Sequence, residues 1–175
     1  MLRWIRWVWI EFQKDRQQQQ RWKEQEQCIE QLSIEQARAE ALQVLQDESV
    51  FRLVPVSTPP NSSILAQLPE EVRELAAQYE QIQMMPAAGE DTEGLDFGRM
   101  VPAELREGYL RIGQWGIDTD VYTEVVVRLG DRGVYELCWS ETEPTRFHSV
   151  YHWILWHYWH ERISREVEEQ YTDRA

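Results

Sequence analysis

The chain has 175 residues, enough for one good hydrophobic core, and its 42% apolar, 28% charged and 11% aromatic content is that of a globular protein rather than a disordered one. Its 31 acidic residues outnumber its 18 basic ones for a formal charge of -13, a surface that repels phosphate backbones, so nucleic acid is not an expected partner and a basic protein is. The two cysteines, Cys28 and Cys138, are far apart, with no Cys-x-x-Cys and no signal peptide, which reads as a reducing, cytoplasmic protein without a disulfide framework.

Residues 1–12, MLRWIRWVWIEF, set Leu2, Ile5, Trp9 and Phe12 at helical spacing, with Trp4, Trp7, Val8 and Ile10 widening the apolar face. The run is interrupted by Arg3 and Arg6 and is too short to span a bilayer, so no transmembrane segment is expected. Tryptophan with arginine suits interfacial membrane contact by residues 1–12; packing on the domain or on a second copy, giving a homo-oligomer, is the favoured alternative. Residues 13–47 contain no Gly or Pro and predict one long, solvated helix, patchy rather than heptad, so residues 1–47 form a helical, Trp- and Gln-rich appendage.

Val50–Val56 predicts an edge strand, because Pro55 cannot donate to a ladder from a central position, and Ser57–Ser63 is a Pro/Ser linker closing a 48–63 connection. In the remaining segment, 64–175, Pro69, Glu70 and Glu71 start a helix whose inward face is Val72, Leu75, Ala76, Tyr79 and Ile82. Met84–Gly98 reads as an exposed acidic loop holding Glu90, Asp91, Glu93 and Asp96, without the spacing of a calcium loop.

Tyr109–Trp139 predicts an antiparallel meander of three strands. Val121, Thr123, Val125, Val127 and Leu129 alternate with Tyr122, Glu124, Val126 and Arg128, the pattern of a half-buried strand, and Gly130–Gly133 makes a hairpin turn. Ser140–Thr145 reads as a turn, and Ser149 caps a helix to about Tyr171 whose start, VYHWILWHYWH, is aromatic almost all round. Such a helix must be covered on two sides, and the N-terminal tryptophan segment is the expected second cover. The expected fold is α+β: a small antiparallel sheet flanked by helices, with an N-terminal helical appendage.

No constellation for catalysis stands out. His148 and His152 share one helical face while His157 and His160 lie away from it, so the four do not converge on a metal. Cys138, Ser140, Glu141 and His148 are close in sequence but lack a glycine elbow, and Glu124, Glu136 and Asp120 are too easily picked from so acidic a chain to mark paired catalytic carboxylates. Phosphate-cradling glycine patterns are absent from the sequence; neither enzyme activity nor a cofactor is expected.

Four pieces, Leu68-Pro69-Glu70-Glu71 with Tyr79, the Tyr109–Gly113 strand, the Gly130–Leu137 hairpin and the Phe147–Leu155 helix start, resemble the SUKH superfamily, the SMI1/KNR4-like domains, over about residues 68–160. The likeness departs from the family pattern at Gln83-Met84-Met85, where an Asn-Gly pair is usual. The resemblance implies a non-enzymatic α+β protein-binding domain of the immunity-protein kind, neutralising a basic, nuclease-like toxin by direct binding. On that reading the candidate partner contacts are Glu90, Asp91, Glu93, Asp96, Asp118, Asp120 and Trp115, the last as a loop-rim anchor. A membrane-associated or self-associating adaptor using the N-terminal Trp/Arg helix is the alternative.

Overall fold

The computed structural model describes residues 2–57, 62–85, 94–118, 121–138 and 140–172, with side chains left out for 2–7, 62, 116–118 and 121–122. The protein is α+β. Helices α1 (Leu2–Glu30) and α2 (Ile34–Val44) lead to strand β1 (Phe51–Pro55), a short turn of helix α3 (Ser62–Leu65) and helix α4 (Glu70–Gln78). Strands β2 (Tyr79–Met84), β3 (Leu95–Asp96), β4 (Val101–Pro102), β5 (Tyr109–Asp118), β6 (Val121–Arg128), β7 (Val134–Cys138) and β8 (Thr145–Phe147) follow, and helix α5 (Val150–Thr172) closes the fold. The strands form one antiparallel sheet in the order β1-β2-β3-β5-β6-β7-β8, with β4 also paired to β5.

The predicted meander is therefore the middle of a wider sheet. β1 lies at its edge, as Pro55 requires. The helix expected to carry Ile82 inward instead stops at Gln78, where Tyr79 turns to extended backbone, and Ile82 is buried from strand β2. Helical and strand spacing both point this residue inward, which is why the sequence pattern alone did not separate them. Residue Thr145, read as turn, opens β8.

Strand β6 is buried on both faces rather than half-buried. Val125 and Val127 belong to the main core, while Val126 joins Tyr135 and Leu137 in a second cluster roofed by Ala103, Leu105 and Tyr109. The chain before β5 covers that outer face because Glu124, fully buried, accepts hydrogen bonds from the Glu104 and Leu105 backbone N–H groups at 3.0 and 2.9 Å. A buried carboxylate needs such donors.

The single helix expected over 13–47 is two helices. Ser33 caps α2 with a reciprocal pair, its hydroxyl accepting from Gln36 N–H while the Gln36 side chain accepts from Ser33 N–H, so a capping box interrupts the run without Gly or Pro. Ala37, Ala41 and Leu45 of this segment lie in the same buried cluster as Ile82, Ile112 and Trp153.

Helix α5 explains its own composition by meeting several neighbours. Trp153 faces the sheet, Trp156 packs edge-on against Phe147 and stacks on His160, and Tyr158 stacks on Phe51. Tyr151 donates to Glu74 of α4, which also pairs with Arg38 of α2. The described side chains of the N-terminal tryptophan segment do not supply the second cover of α5, since Trp9 and Phe12 are exposed; the side chains of Trp4 and Trp7 lie outside the described residues. α1 runs antiparallel to α5 with Lys14 against Glu168, Gln18 against Ser164, Trp22 against His160 and Glu26 against Trp156. Residues 14–29, the glutamine-rich part, supply the contact, and at about 1.5 Å per residue this register leaves residues 2–9 at or beyond the end of α5.

Candidate interaction surface

Antiparallel pairing gathers particular strand ends. β1 starts, β2 ends, β3 starts, β5 ends, β6 starts and β7 ends at one end of the sheet, as the pairs Phe51↔Met84, Ile82↔Leu95, Asp118↔Val121 and Thr123↔Cys138 show. The connections leaving this end carry Glu90, Asp91, Glu93, Asp118, Asp120, Glu141 and Glu143. Of these, Glu141 and Glu143 are exposed, Asp118 is described in its backbone alone, and Glu90, Asp91, Glu93 and Asp120 lie outside the described residues. The opposite end carries Arg128, Arg132 and Arg146, all exposed, around the β6–β7 turn and β8. In sequence, the connections 85–94, 119–120 and 139–144 at the first end hold acids and no base, although Arg106 lines a groove with Glu141 and Glu143 there; at the second end acid and base are mixed, Arg146 pairing with Asp131.

The chain is anchored where the acidic connection leaves β2. Arg165 of α5 donates to the Met85 carbonyl at 2.5 Å and the Ser49 carbonyl at 2.8 Å, and Arg162 lies 4.0 Å from Asp47. Asp47 accepts from Ser49 through both hydroxyl and backbone, and the hydroxyl bond in particular holds its carboxyl below the ordinary value.

Two predicted contacts sit differently from expectation. Asp96 is in β3, opposite Gln81, and accepts from the Gln81 side chain at 3.2 Å. Trp115 is not on a loop rim. It is a half-buried β5 residue whose indole N–H donates inward to Glu136 Oε1 at 2.9 Å, with its ring edge-on to His157.

That oxygen of Glu136 is the centre of the most concentrated buried polar chemistry described. It also accepts from Trp153 Nε1 at 2.7 Å and lies 2.8 Å from His157 Nε2. Burial pushes the Glu136 carboxyl up, but the His157 hydrogen bond, with the two indole donors, outweighs it and holds the group below its ordinary value. A further aromatic ladder runs from Trp156 through His160 to Trp22, with Glu26 accepting from Trp156 and paired to His160. The sequence signal for this cluster was a glutamate on the inward face of β7, between Val134 and Cys138, facing a helix rich in Trp and His. In the structure its carboxylate oxygen is occupied by three donors and enclosed, and it holds α5 to the sheet.

The remaining nucleophile, Cys138, lies 3.1 Å from Ser140 Oγ, whose hydrogen bonds lower its thiol from the ordinary value. It borders an open groove of about 510 Å³ with Leu105, Leu137, Glu141 and Pro144. His148 stands beside His152, not beside the thiol, and among the described residues no group of three or more His, Cys, Asp or Glu is placed to hold a metal.

No protein-family profile, curated protein or solved structure matches this chain.

Proposed function

We propose that this protein is a binding module of the immunity-protein kind, which takes a basic protein partner at the acidic end of its sheet. The observation that carries the reading is topological: antiparallel pairing brings the connections of residues 85–94, 118–121 and 138–144, acidic in sequence, off one end of the sheet. A concentration of carboxylates at one end attracts an approaching basic protein and raises its association rate, a benefit for a protein that must find a basic enzyme before it acts. The buried carboxylates support the same reading, because Glu136 and Glu124 are engaged inside the fold and leave the rim acids for a partner. Asp96 and Trp115 are then scaffold, and Glu141 and Glu143 join the contact set.

The test is capture of partners by the full chain from lysate of its source cells, run beside a variant with Glu90, Asp91, Glu93, Asp118, Asp120, Glu141 and Glu143 changed to Gln or Asn. A basic protein retained by the wild type at low salt, released at high salt and lost from the variant supports the reading. A partner kept equally by both contradicts it.

A further inference from the structure

The charge of the chain is split far more sharply than its total suggests. Residues 1–23 hold six basic side chains and two acidic ones, while the whole chain has 31 acidic against 18 basic. Lys14 and Arg21 spend their charge on Glu168 and Glu166 of α5. Arg16 and Lys23 do not face α5; they are exposed on the opposite face of α1. That outward stripe runs through Trp9, Phe12, Arg16, Gln19 and Lys23, successive positions three or four apart, with Val8 beside Trp9. Its first part is apolar and open, with Val8 41%, Trp9 63% and Phe12 60% exposed, and Leu2 and Ile5 continue the same spacing in sequence.

We infer that this outward face of α1 seats the protein on an anionic lipid surface, lying along the interface. The combination is specific: tryptophan and phenylalanine to enter the headgroup boundary, with arginine and lysine on the same stripe to meet anionic headgroups. No described helix is long and apolar enough to cross a membrane, so the helix lies on the surface. A second copy fits less well. Trp9 and Phe12 bury about 150–250 Å² each when fully enclosed, and a stable interface needs about 800 Å² per partner. Beyond Phe12 the stripe turns to Arg16, Gln19 and Lys23, which offer a like surface little. The inference is independent of what binds the acidic end.

The test is flotation of the full-length protein with phosphatidylcholine vesicles, with and without phosphatidylglycerol, at low and high salt. Both W9Q/F12Q and R16Q/K23Q change exposed side chains, and circular dichroism checks that α1 is kept. We expect the wild type to float with the anionic vesicles at least about tenfold more than with neutral ones, W9Q/F12Q to stay at the bottom, and R16Q/K23Q to lose the preference for anionic lipid. Failure of the wild type to float with anionic vesicles overturns the inference, as does flotation unchanged in W9Q/F12Q. Light scattering that shows a wild-type dimer and a W9Q/F12Q monomer, with no vesicle binding, would assign the stripe to a second copy instead.

Discussion

Trp115 on β5 and Trp153 on α5 donate their indole N–H groups to the same oxygen, Oε1 of Glu136, at 2.9 and 2.7 Å. One carboxylate on β7 thereby joins two strands and the closing helix, with His157 as its third partner. Glu136→Ala leaves the imidazole and two indole donors without an acceptor in a buried site. It should cost about 3–5 kcal/mol, the range for breaking a buried pair from one side. Glu136→Gln, which keeps an acceptor oxygen, should cost less. Urea unfolding of the three proteins measures this, and equal midpoints for Glu136→Ala and wild type would remove the cluster from the account of stability.

Acid should weaken the fold in two stages. Burial pushes His152 below the ordinary histidine value, with its hydrogen bond to the Leu32 carbonyl opposing and His148 adding to the shift; burial likewise lowers His160 against the pull of Glu26. A folded-state value below the unfolded one means the unfolded chain takes up protons first, so this stability is whole above about pH 6.5 and is lost as pH falls through the folded values. The lowered carboxyls of Glu136 and Asp47 add a second loss, below the ordinary carboxylate range of about 4. Melting temperature followed from pH 8 downward should bend first near about 6.5, and the bend should shrink in His152→Gln. A flat profile to pH 5 would contradict the histidine part.

Gly113 is needed for lack of a side chain. A Cβ there would stand 2.3 Å from the Gly94 carbonyl oxygen and 2.9 Å from Leu95 Cα, both backbone atoms of the neighbouring β3 segment. Gly113→Ala must push β3 off β5, at about 1–3 kcal/mol. Gly108→Ala meets nothing within 4 Å but is strained by its φ of 83°. Denaturant midpoints and amide exchange at Leu95 would separate the two, since exchange at β3 should rise in the Gly113 variant alone.

Ser33→Ala should lower stability by about 1 kcal/mol, the usual worth of an N-cap hydroxyl, by removing half of the Ser33/Gln36 pair. The effect would be read as a shift in urea midpoint at unchanged slope. No shift would mean that the α1–α2 break is held by packing alone.

Deleting residues 1–12 should leave quencher access to Trp153 and Trp156 nearly unchanged. Trp153 is fully buried and Trp156 is covered by the stretch of α1 around Glu26, near the opposite end of that helix from the deletion. Stern–Volmer quenching would show it once the lost Trp4, Trp7 and Trp9 signals are accounted for. A large gain in access would restore the sequence-based expectation that the tryptophan segment covers α5.

That expectation shows what the sequence could and could not reveal. The strand at β6, the glycine-marked turn before β7, the edge position of β1 and the start of α5 are local patterns, and they were legible, but the burial of the outer face of β6 was not. Nor was the partner of α5, because the tryptophans of residues 1–12 drew attention, while the described contact is made further along α1 by Gln17, Gln18 and Arg21 through side-chain hydrogen bonds that hydropathy does not register, and by Trp22 stacked on His160. Trp115 beside Gly113 and Gly116 looked like a loop residue, yet a bulge between Arg111 and Gly113 keeps β5 in the sheet and points the indole inward. The break at Ser33 was missed because the search was for Gly and Pro, whereas Ser33-x-x-Gln36 stops one helix and starts the next as a capping box. Among the acids, sequence order gave no sign that the β2–β3, β5–β6 and β7–β8 connections share one end; strand order alone decides that.

The most direct measurement is hydrogen exchange of the full chain, alone and saturated with the basic protein it captures. Slowed exchange confined to residues 85–94, 116–121 and 138–144, with the β6–β7 turn at Arg128–Gly133 and Arg146 of β8 unaffected, is the predicted result. Protection centred on the arginine end, or on α1 alone, would contradict the assignment of the acidic end as the binding surface.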